Sequence, residues 1–267
     1  MTLSSLFLEK RVAGFVKELA GETDAVRRSV LFKEYLDAVS KFWHYSYHNQ
    51  VLIFLQNKDA SRVAGFVTWN KLGRFVKKGS KAIKILAPFT KKVLKKDENS
   101  EEKEYSFTYF VPVSVFDISQ TEGKELAKLD VEVQGDNQKW LLDKLLEFCK
   151  SRNIVVEFKQ LGVNGLYGYC LQSKIVIGSE QSVNTQANTV IHEIAHHLLH
   201  NPTVAQPPSK QEREIQAEAI TYVVTKHFGL ENKSPVYLGF YKAEAEQIKS
   251  ALESISHTAQ EIIGVIG

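Results

Sequence analysis

Cysteine is scarce in this chain of 267 residues: Cys149 and Cys170 are its only two, and they form no C-x-x-C pair. That excludes a disulfide-dense secreted scaffold, and two reduced thiols in a cytoplasmic protein become the expectation. Long apolar runs are missing as well. The longest, FTYFVPVSVF, is too short for a membrane span and has the composition of a strand. The stretch MTLSSLFLEKR has neither the basic n-region nor the apolar length of a signal peptide. No internal repeat is found. A cytoplasmic location with no membrane partner is expected.

Hydrophobic content of 43% and charged content of 24% are those of a globular chain, long enough for one large or two modest domains. The net charge of +3 conceals a segregation. Residues 1–96 hold 19 Lys/Arg against 7 Asp/Glu, whereas residues 97–267 hold 15 against 24. Such asymmetry implies an anionic partner for the first half, with nucleic acid ahead of membrane.

Apolar spacing predicts helices over Leu8–Leu19, Val30–Phe42 and Asn49–Gln56, then a strand at Ala64–Thr68 and a short helix at Trp69–Val76. Strands are expected at Ala82–Pro88 and Tyr105–Phe116, with the charged run KKDENSEEKE between them as a loop. The polar run ISQTEGKELAKLDVEVQGD marks a domain boundary near residue 125. Beyond it come a helix at Asn137–Ser151 and strands at Val155–Phe158, Gly165–Tyr169 and Lys174–Gly178. Thr185–His200 reads as a helix, and Asn201–Ser209, with three prolines, as a turn. A helix ending at HFGL, with Gly229 as its cap, and a last helix at Ala243–Ile263 complete the order.

The helix at Thr185–His200 carries VIHEIAHHLLH. His192 and His196 stand four apart, so both imidazoles leave one face and can grip one metal. Glu193 is one residue round and suits a general base. A catalytic zinc takes three protein ligands and leaves a position for water. The third candidate is Glu214 in EREIQAEAITYVV, because the Pro-rich turn folds this helix back on the first. Glu218, one turn on, suits the outer hydrogen bond of a ligand histidine. His200 is a full turn too far along, His197 faces elsewhere, and Leu199 occupies the glycine position of the longer three-histidine motif. Zinc peptidases dock substrate along an exposed edge strand, and Lys174–Gly178, just upstream, is the expected one. Tyr222, Tyr237, Tyr241 and His257 all stay open as oxyanion partners.

From Trp69 to Lys96 the chain holds ten Lys/Arg and no acid, with Trp69, Phe75 and Phe89 interleaved. Upstream, FWHYSYHNQ concentrates aromatics. Cations for phosphates plus rings for bases suit single-stranded nucleic acid. The expected contacts are Tyr45, Tyr47, Trp69, Lys71, Arg74, Lys77, Lys78 and Lys81.

The segments YSYHNQVLIFLQ, RVAGFVTWNKLGRFVKKGSKAIKILAP and VFDISQTEGKEL resemble the N-terminal domain of antirestriction proteins of the ArdC type. GLYGYCLQSKIVIG, VIHEIAHHLLH and EIQAEAITYVVTKHFGL resemble the zinc-peptidase domain attached to it, which is related to the ImmA/IrrE peptidases. The resemblance implies binding of single-stranded DNA (ssDNA) by the first half and a gluzincin-like fold for the second. It implies His192, His196 and Glu214 as ligands, Glu193 as base, and a mobile-element setting. The tail SPVYLGFYKAEAEQIK departs from the family pattern, so the resemblance assigns Tyr237 and Tyr241 no role.

The expected architecture is α+β, with a small α/β nucleic-acid-binding domain over 1–125 and a zincin-like metallopeptidase domain over 126–267. The expected function is zinc-dependent cleavage of DNA-associated proteins. The rivals are an ImmA/IrrE-like peptidase that cuts a soluble regulator, and a pure ssDNA-shielding protein with an idle zinc site.

Overall fold

A computed structural model describes residues 3–22, 25–96, 102–125, 138–162, 166–171, 174–199, 208–230 and 244–267. From the N-terminus the elements are α1 (Leu3–Gly21), α2 (Ala25–Lys41), α3 (Tyr47–Gln56), β1 (Val63–Gly65), α4 (Phe66–Lys71) and β2 (Arg74–Val76). Next come β3 (Ile83–Lys96), β4 (Glu102–Asp117), a 3-10 turn at Ile118–Gln120, and β5 (Thr121–Gly123). The remainder is α5 (Lys139–Ser151), β6 (Val155–Lys159), β7 (Gly168–Leu171), β8 (Lys174–Gly178), α6 (Val183–Leu199), α7 (Lys210–His227) and α8 (Ala245–Ile266). This is the mixed helix and sheet class that the sequence implies. Among the described residues, no helix is long and apolar enough to cross a membrane.

Contacts divide the chain into two compact units, Met1–Phe15 with His48–Leu126, and Val16–Tyr47 with Ala127–Gly267. A cut at residue 125 groups Val16–Tyr47 with the first half, whereas the contacts group it with the second. The cause is α2, which packs along α7. Tyr222 donates its hydroxyl to Asp37 at 2.6 Å, and the His227 ring meets the Ser40 carbonyl at 3.0 Å. The aromatics of FWHYSYHNQ join this core: Trp43 lies edge-on to His227 with centroids 5.7 Å apart, and His44 sits 4.4 Å from Tyr45.

The first unit is built on an antiparallel sheet of order β1-β4-β3, with β2-β5 as a separate pair. The outer edge of β3 is closed by side chains of α3. Asn49 bonds both N–H and C=O of Leu86 at 2.9 and 2.8 Å, and Gln56 does the same to Lys84 at 3.0 and 2.9 Å. Two amides seven residues apart on one helix thereby satisfy an edge that otherwise invites pairing. Asp117 locks the far end of β4, accepting from the backbone N–H groups of Ser61, Arg62 and Ser119.

Two local expectations are corrected here. The strand expected to Thr68 ends at Gly65, and the helix expected over Trp69–Val76 ends at Lys71. Gly73 has φ +74°, which breaks the helix, and Arg74–Val76 then pairs with β5.

In the second unit β8 is the central strand of order β6-β8-β7, parallel to β6 and antiparallel to β7. Its residues Ile175, Val176 and Ile177 are buried, as a strand covered on both faces requires. Helices α5, α6, α7 and α8 supply the rest of this core through Leu141, Leu145, Ile191, Ile194, Ile220 and Ile255.

Candidate metal centre and nucleic-acid interface

The hydrogen bonds around the β8–α6 connection fix where α6 begins. Ser182 caps the helix by accepting from the Thr185 N–H at 3.3 Å, and the Gln186 amide donates to the carbonyls of Gly178 and Gln181 at 3.3 and 3.1 Å. A capping box fixes the start of α7: Ser209 accepts from the Glu212 N–H at 3.2 Å, and Glu212 accepts from the Ser209 N–H at 2.7 Å. Its other end is a Schellman turn, with Leu230 N–H bonded to the Thr225 carbonyl and Gly229 at φ +72°.

These two helices bring together the side chains expected from the sequence. Nε2 of His192 and Nε2 of His196 are 3.0 Å apart. Glu214 Oε2 lies 3.5 Å from the first and 3.4 Å from the second. Ligands held tetrahedrally at 2.0–2.1 Å from a metal stand about 3.3 Å from one another, so this triangle has the right edges. A second observation supports the fit. Two ring nitrogens this close repel through their lone pairs unless a proton or a cation lies between them. Burial lowers the pKa of both histidines, which disfavours the proton and leaves a cation as the better match.

Two further carboxyls lie near the triangle. His192 Nδ1 faces Glu218 Oε1 at 3.8 Å, on the side of the ring away from Glu214. Glu193 is 7% exposed. Burial, with the charge of Glu214 added, pushes its carboxyl up to about 7. The Glu214 side chain is 49% exposed, so the centre opens to solvent at that corner.

The expected docking strand is corrected. Among the described residues, Lys174–Gly178 lies in the middle of its sheet, and of the two outer strands β7 is the one packed against α6. The reason is close packing at Gly168, where an added Cβ would meet Thr189 Cγ2 of α6 at 2.6 Å. Along β7, Tyr169 and Leu171 are exposed. Among the oxyanion candidates, Tyr222 is engaged by Asp37, and His257 lines a separate cavity with Glu253 and Glu261. Tyr237, Tyr241 and His200 lie outside the described residues.

The expected nucleic-acid contacts fare unevenly. Trp69 is 2% exposed and donates its indole N–H to the Phe116 carbonyl at 2.9 Å, and Tyr47 is 6% exposed. Rings so buried have no face to offer a base, and Tyr45 is half-buried against Phe42 and His44. Arg74 is engaged in tying β2 to β5, donating to Thr121 Oγ1 at 2.7 Å and to the Lys124 carbonyl at 2.6 Å. Lys77 donates to the Ser119 carbonyl at 3.1 Å. Lys71, Lys78 and Lys81 are exposed, and Lys81 lines a cavity of about 300 Å³ with Arg11 and Gln120. The rings exposed beside them are Phe66 and Phe75. Sequence alone identified Phe75 as interleaved but missed Phe66, whose exposure follows from its place at the start of a short helix.

Comparison with known proteins agrees with this layout. Residues 16–116 match the profile of the N-terminal domain of anti-restriction factor ArdC. Residues 149–232 match the IrrE N-terminal-like domain of peptidase family M78. An uncharacterized protein of Bacillus anthracis is 27% identical over 87% of this chain, which spans 47% of that relative's length. The crystal structure of the metal-free antirestriction ArdC protein from plasmid R388 matches with a TM-score of 0.52 at 17% identity, over 83% of this chain and 84% of that one. At that identity the likeness is one of fold. The Mn(II)-bound structure of the same R388 protein matches with a TM-score of 0.48 at 15% identity, over 87% and 95% of the two chains. The chain thus joins a segment that matches the ArdC N-terminal domain to one that matches the IrrE-like domain.

Proposed function

We propose that this chain is a zinc-dependent metallopeptidase directed to its protein substrates by single-stranded DNA. The observation that carries the enzymatic half is the triangle of His192, His196 and Glu214 with the protonatable Glu193 beside it. Two imidazoles and one carboxylate suit zinc better than the oxygen-seeking cations. When bound, the ion supplies Lewis-acid polarisation of the scissile carbonyl and of the attacking water. Glu193 holds the water proton as the new C–O bond forms and returns it to the departing amine. Glu218, whose Oε1 lies 3.8 Å from His192 Nδ1, is placed to orient that ring by closing the remaining distance. The exposed β7 edge offers backbone N–H and C=O groups to an extended peptide.

Lys71, Lys78 and Lys81, with Phe66 and Phe75, support the nucleic-acid half. Their lysines provide phosphate contacts and their rings provide stacking faces. The match to an IrrE-like domain favours one alternative substrate, a soluble regulator instead of a DNA-bound protein.

The test is digestion of a peptide library by zinc-loaded protein, read by mass spectrometry as new termini. Wild type is expected to produce a defined set, and Glu193→Gln to lower their yield about 10²- to 10⁴-fold while retaining the metal. Equal cleavage by both proteins would remove Glu193 from the chemistry.

A further inference from the structure

Helix α3 closes the outer edge of β3 with two side-chain amides, Asn49 at Leu86 and Gln56 at Lys84. Backbone groups that face one way recur at every second residue of a strand, so the next position of this series is Ala82. No amide reaches it: among the described residues the Ala82 N–H has no acceptor. A cavity of about 300 Å³ opens there instead, wholly within the first unit.

Two glutamines tie its walls to the backbone. Gln56 bonds the N–H and carbonyl of Lys84, and Gln120 accepts from the Asp117 N–H at 2.9 Å and donates to the Lys81 carbonyl at 2.8 Å. Leu55, Ala82 and Ile83 add apolar surface. Walls fixed in this way form a site before any ligand arrives, which lowers the cost of binding.

The charges in the cavity are of one sign. Arg11 and Lys81 line it, and no carboxylate does. Neighbouring cations are engaged: Arg74 by Thr121, Lys77 by the Ser119 carbonyl, and Lys84 by the Ser114 hydroxyl at 2.7 Å. Arg11 differs, with one long contact of 3.5 Å to the Leu55 carbonyl, and Lys81 Nζ has no partner among the described residues. Arg11 is half-buried, so its guanidinium has shed water without gaining a counter-charge. Its planar fork of donors matches the oxygens of a phosphate. Asn57 spends its Oδ1 on the Asp59 N–H at 3.2 Å, and its Nδ2 has no acceptor among the described residues.

Shape and charge together select the ligand. A cavity, unlike a groove, admits the end of a chain and not its middle. A phosphate monoester carries about −1.5 to −2 near neutral pH, whereas an internal phosphodiester carries a single charge. Two cations without an acid match the monoester. Lys78, exposed in the turn that leads to Lys81, offers a cation to the next phosphate of a strand.

We propose that the cavity between Arg11 and Lys81 is a phosphate-monoester site, taking the terminal phosphate of a nucleic-acid strand or the phosphate of a free nucleotide. Arg11 and Lys81 hold its oxygens, and the Asn57 amide and the Ala82 N–H are further donors. With a strand end as the source, this deepens the nucleic-acid reading above and rests on it; with a free nucleotide it stands apart from that reading.

The experiment compares binding of labelled oligo-dT with 5′-phosphate, 3′-phosphate and hydroxyl ends to the full chain by fluorescence anisotropy. A second arm follows the melting temperature of the full chain as dTMP or inorganic phosphate is added. Wild type is expected to prefer one phosphorylated end about tenfold, the worth of a charge-assisted hydrogen bond. Arg11→Ala, and Asn57→Asp, which adds a carboxylate without removing atoms, are each expected to bring that ratio close to one while the protein melts as a folded chain. Binding of all three strands alike, with no shift by dTMP or phosphate, would overturn the proposal and leave the nucleic-acid reading standing. A preference that survives in both variants would place the phosphate elsewhere and overturn it too. If no strand binds but dTMP raises the melting temperature of wild type and not of Arg11→Ala, the site stands with a free nucleotide as its source and the nucleic-acid reading falls. No response in either arm would remove both.

Discussion

Glu193 shows how much one carboxyl depends on its surroundings. Buried at the start of a histidine-rich turn and facing the charge of Glu214, its carboxyl is pushed up to about 7. A carboxyl so placed suits the role proposed for it, a general base that later acts as an acid. Asp117 is shifted the other way. Burial raises its pKa, but the Ser119 hydroxyl and the backbone N–H groups of Ser61, Ser119 and Arg62 outweigh burial and hold it below the usual carboxylate value. A depressed folded-state pKa gives stability that is full above the unfolded value of about 3.9 and lost as pH falls through the folded one. Asp117→Asn is therefore expected to destabilise the chain by about 1–3 kcal/mol at pH 7. Urea melts at successive pH values should show that deficit shrinking below about pH 4. A deficit independent of pH would mean that the charge of Asp117 contributes nothing.

Among elements, α6 and α7 do most to build the candidate metal centre, and the pattern that pairs them was the most legible part of the sequence. S-K-Q-E at Ser209–Glu212 is a capping box, and Gly229 closes the same helix in the left-handed conformation that favours glycine. H-E-x-x-H fixed one helical face by spacing alone, and the order of elements placed Glu214 on its return partner. Other elements could not be read so far. An apolar run such as KIVIG is equally consistent with an edge strand and a central one, because pairing is decided by segments distant in sequence. Only the sheet order puts β8 in the middle and β7 on the outside among the described residues. Trp69 was misread for a related reason: a lysine-flanked ring looks exposed until a carbonyl 47 residues away takes its N–H.

The cap also carries a prediction at this scale. Glu214 stands five residues beyond Ser209, so Ser209→Ala, at a cost of about 1 kcal/mol, should fray the turn that precedes this proposed metal ligand. Zinc affinity measured by competition with a chelating dye is expected to fall about fivefold, with the helix content nearly unchanged. An unchanged affinity would show that packing alone holds Glu214 in place.

For the whole molecule, the segregation of charge is the property that links the halves. Residues 1–96 carry 19 Lys/Arg against 7 Asp/Glu, and the acidic excess lies with the metal centre in the remaining sequence. On the proposed function, a polyanion is drawn to one part of the chain and the chemistry belongs to another. The account rests most heavily on the triangle of His192, His196 and Glu214, and its most direct measurement is the zinc content of purified protein by mass spectrometry, with four variants compared. One equivalent is predicted for wild type and for Glu193→Gln, with loss or much weaker retention in His192→Ala, His196→Ala and Glu214→Ala. Full zinc retention in all three ligand variants would place the metal elsewhere and contradict the account.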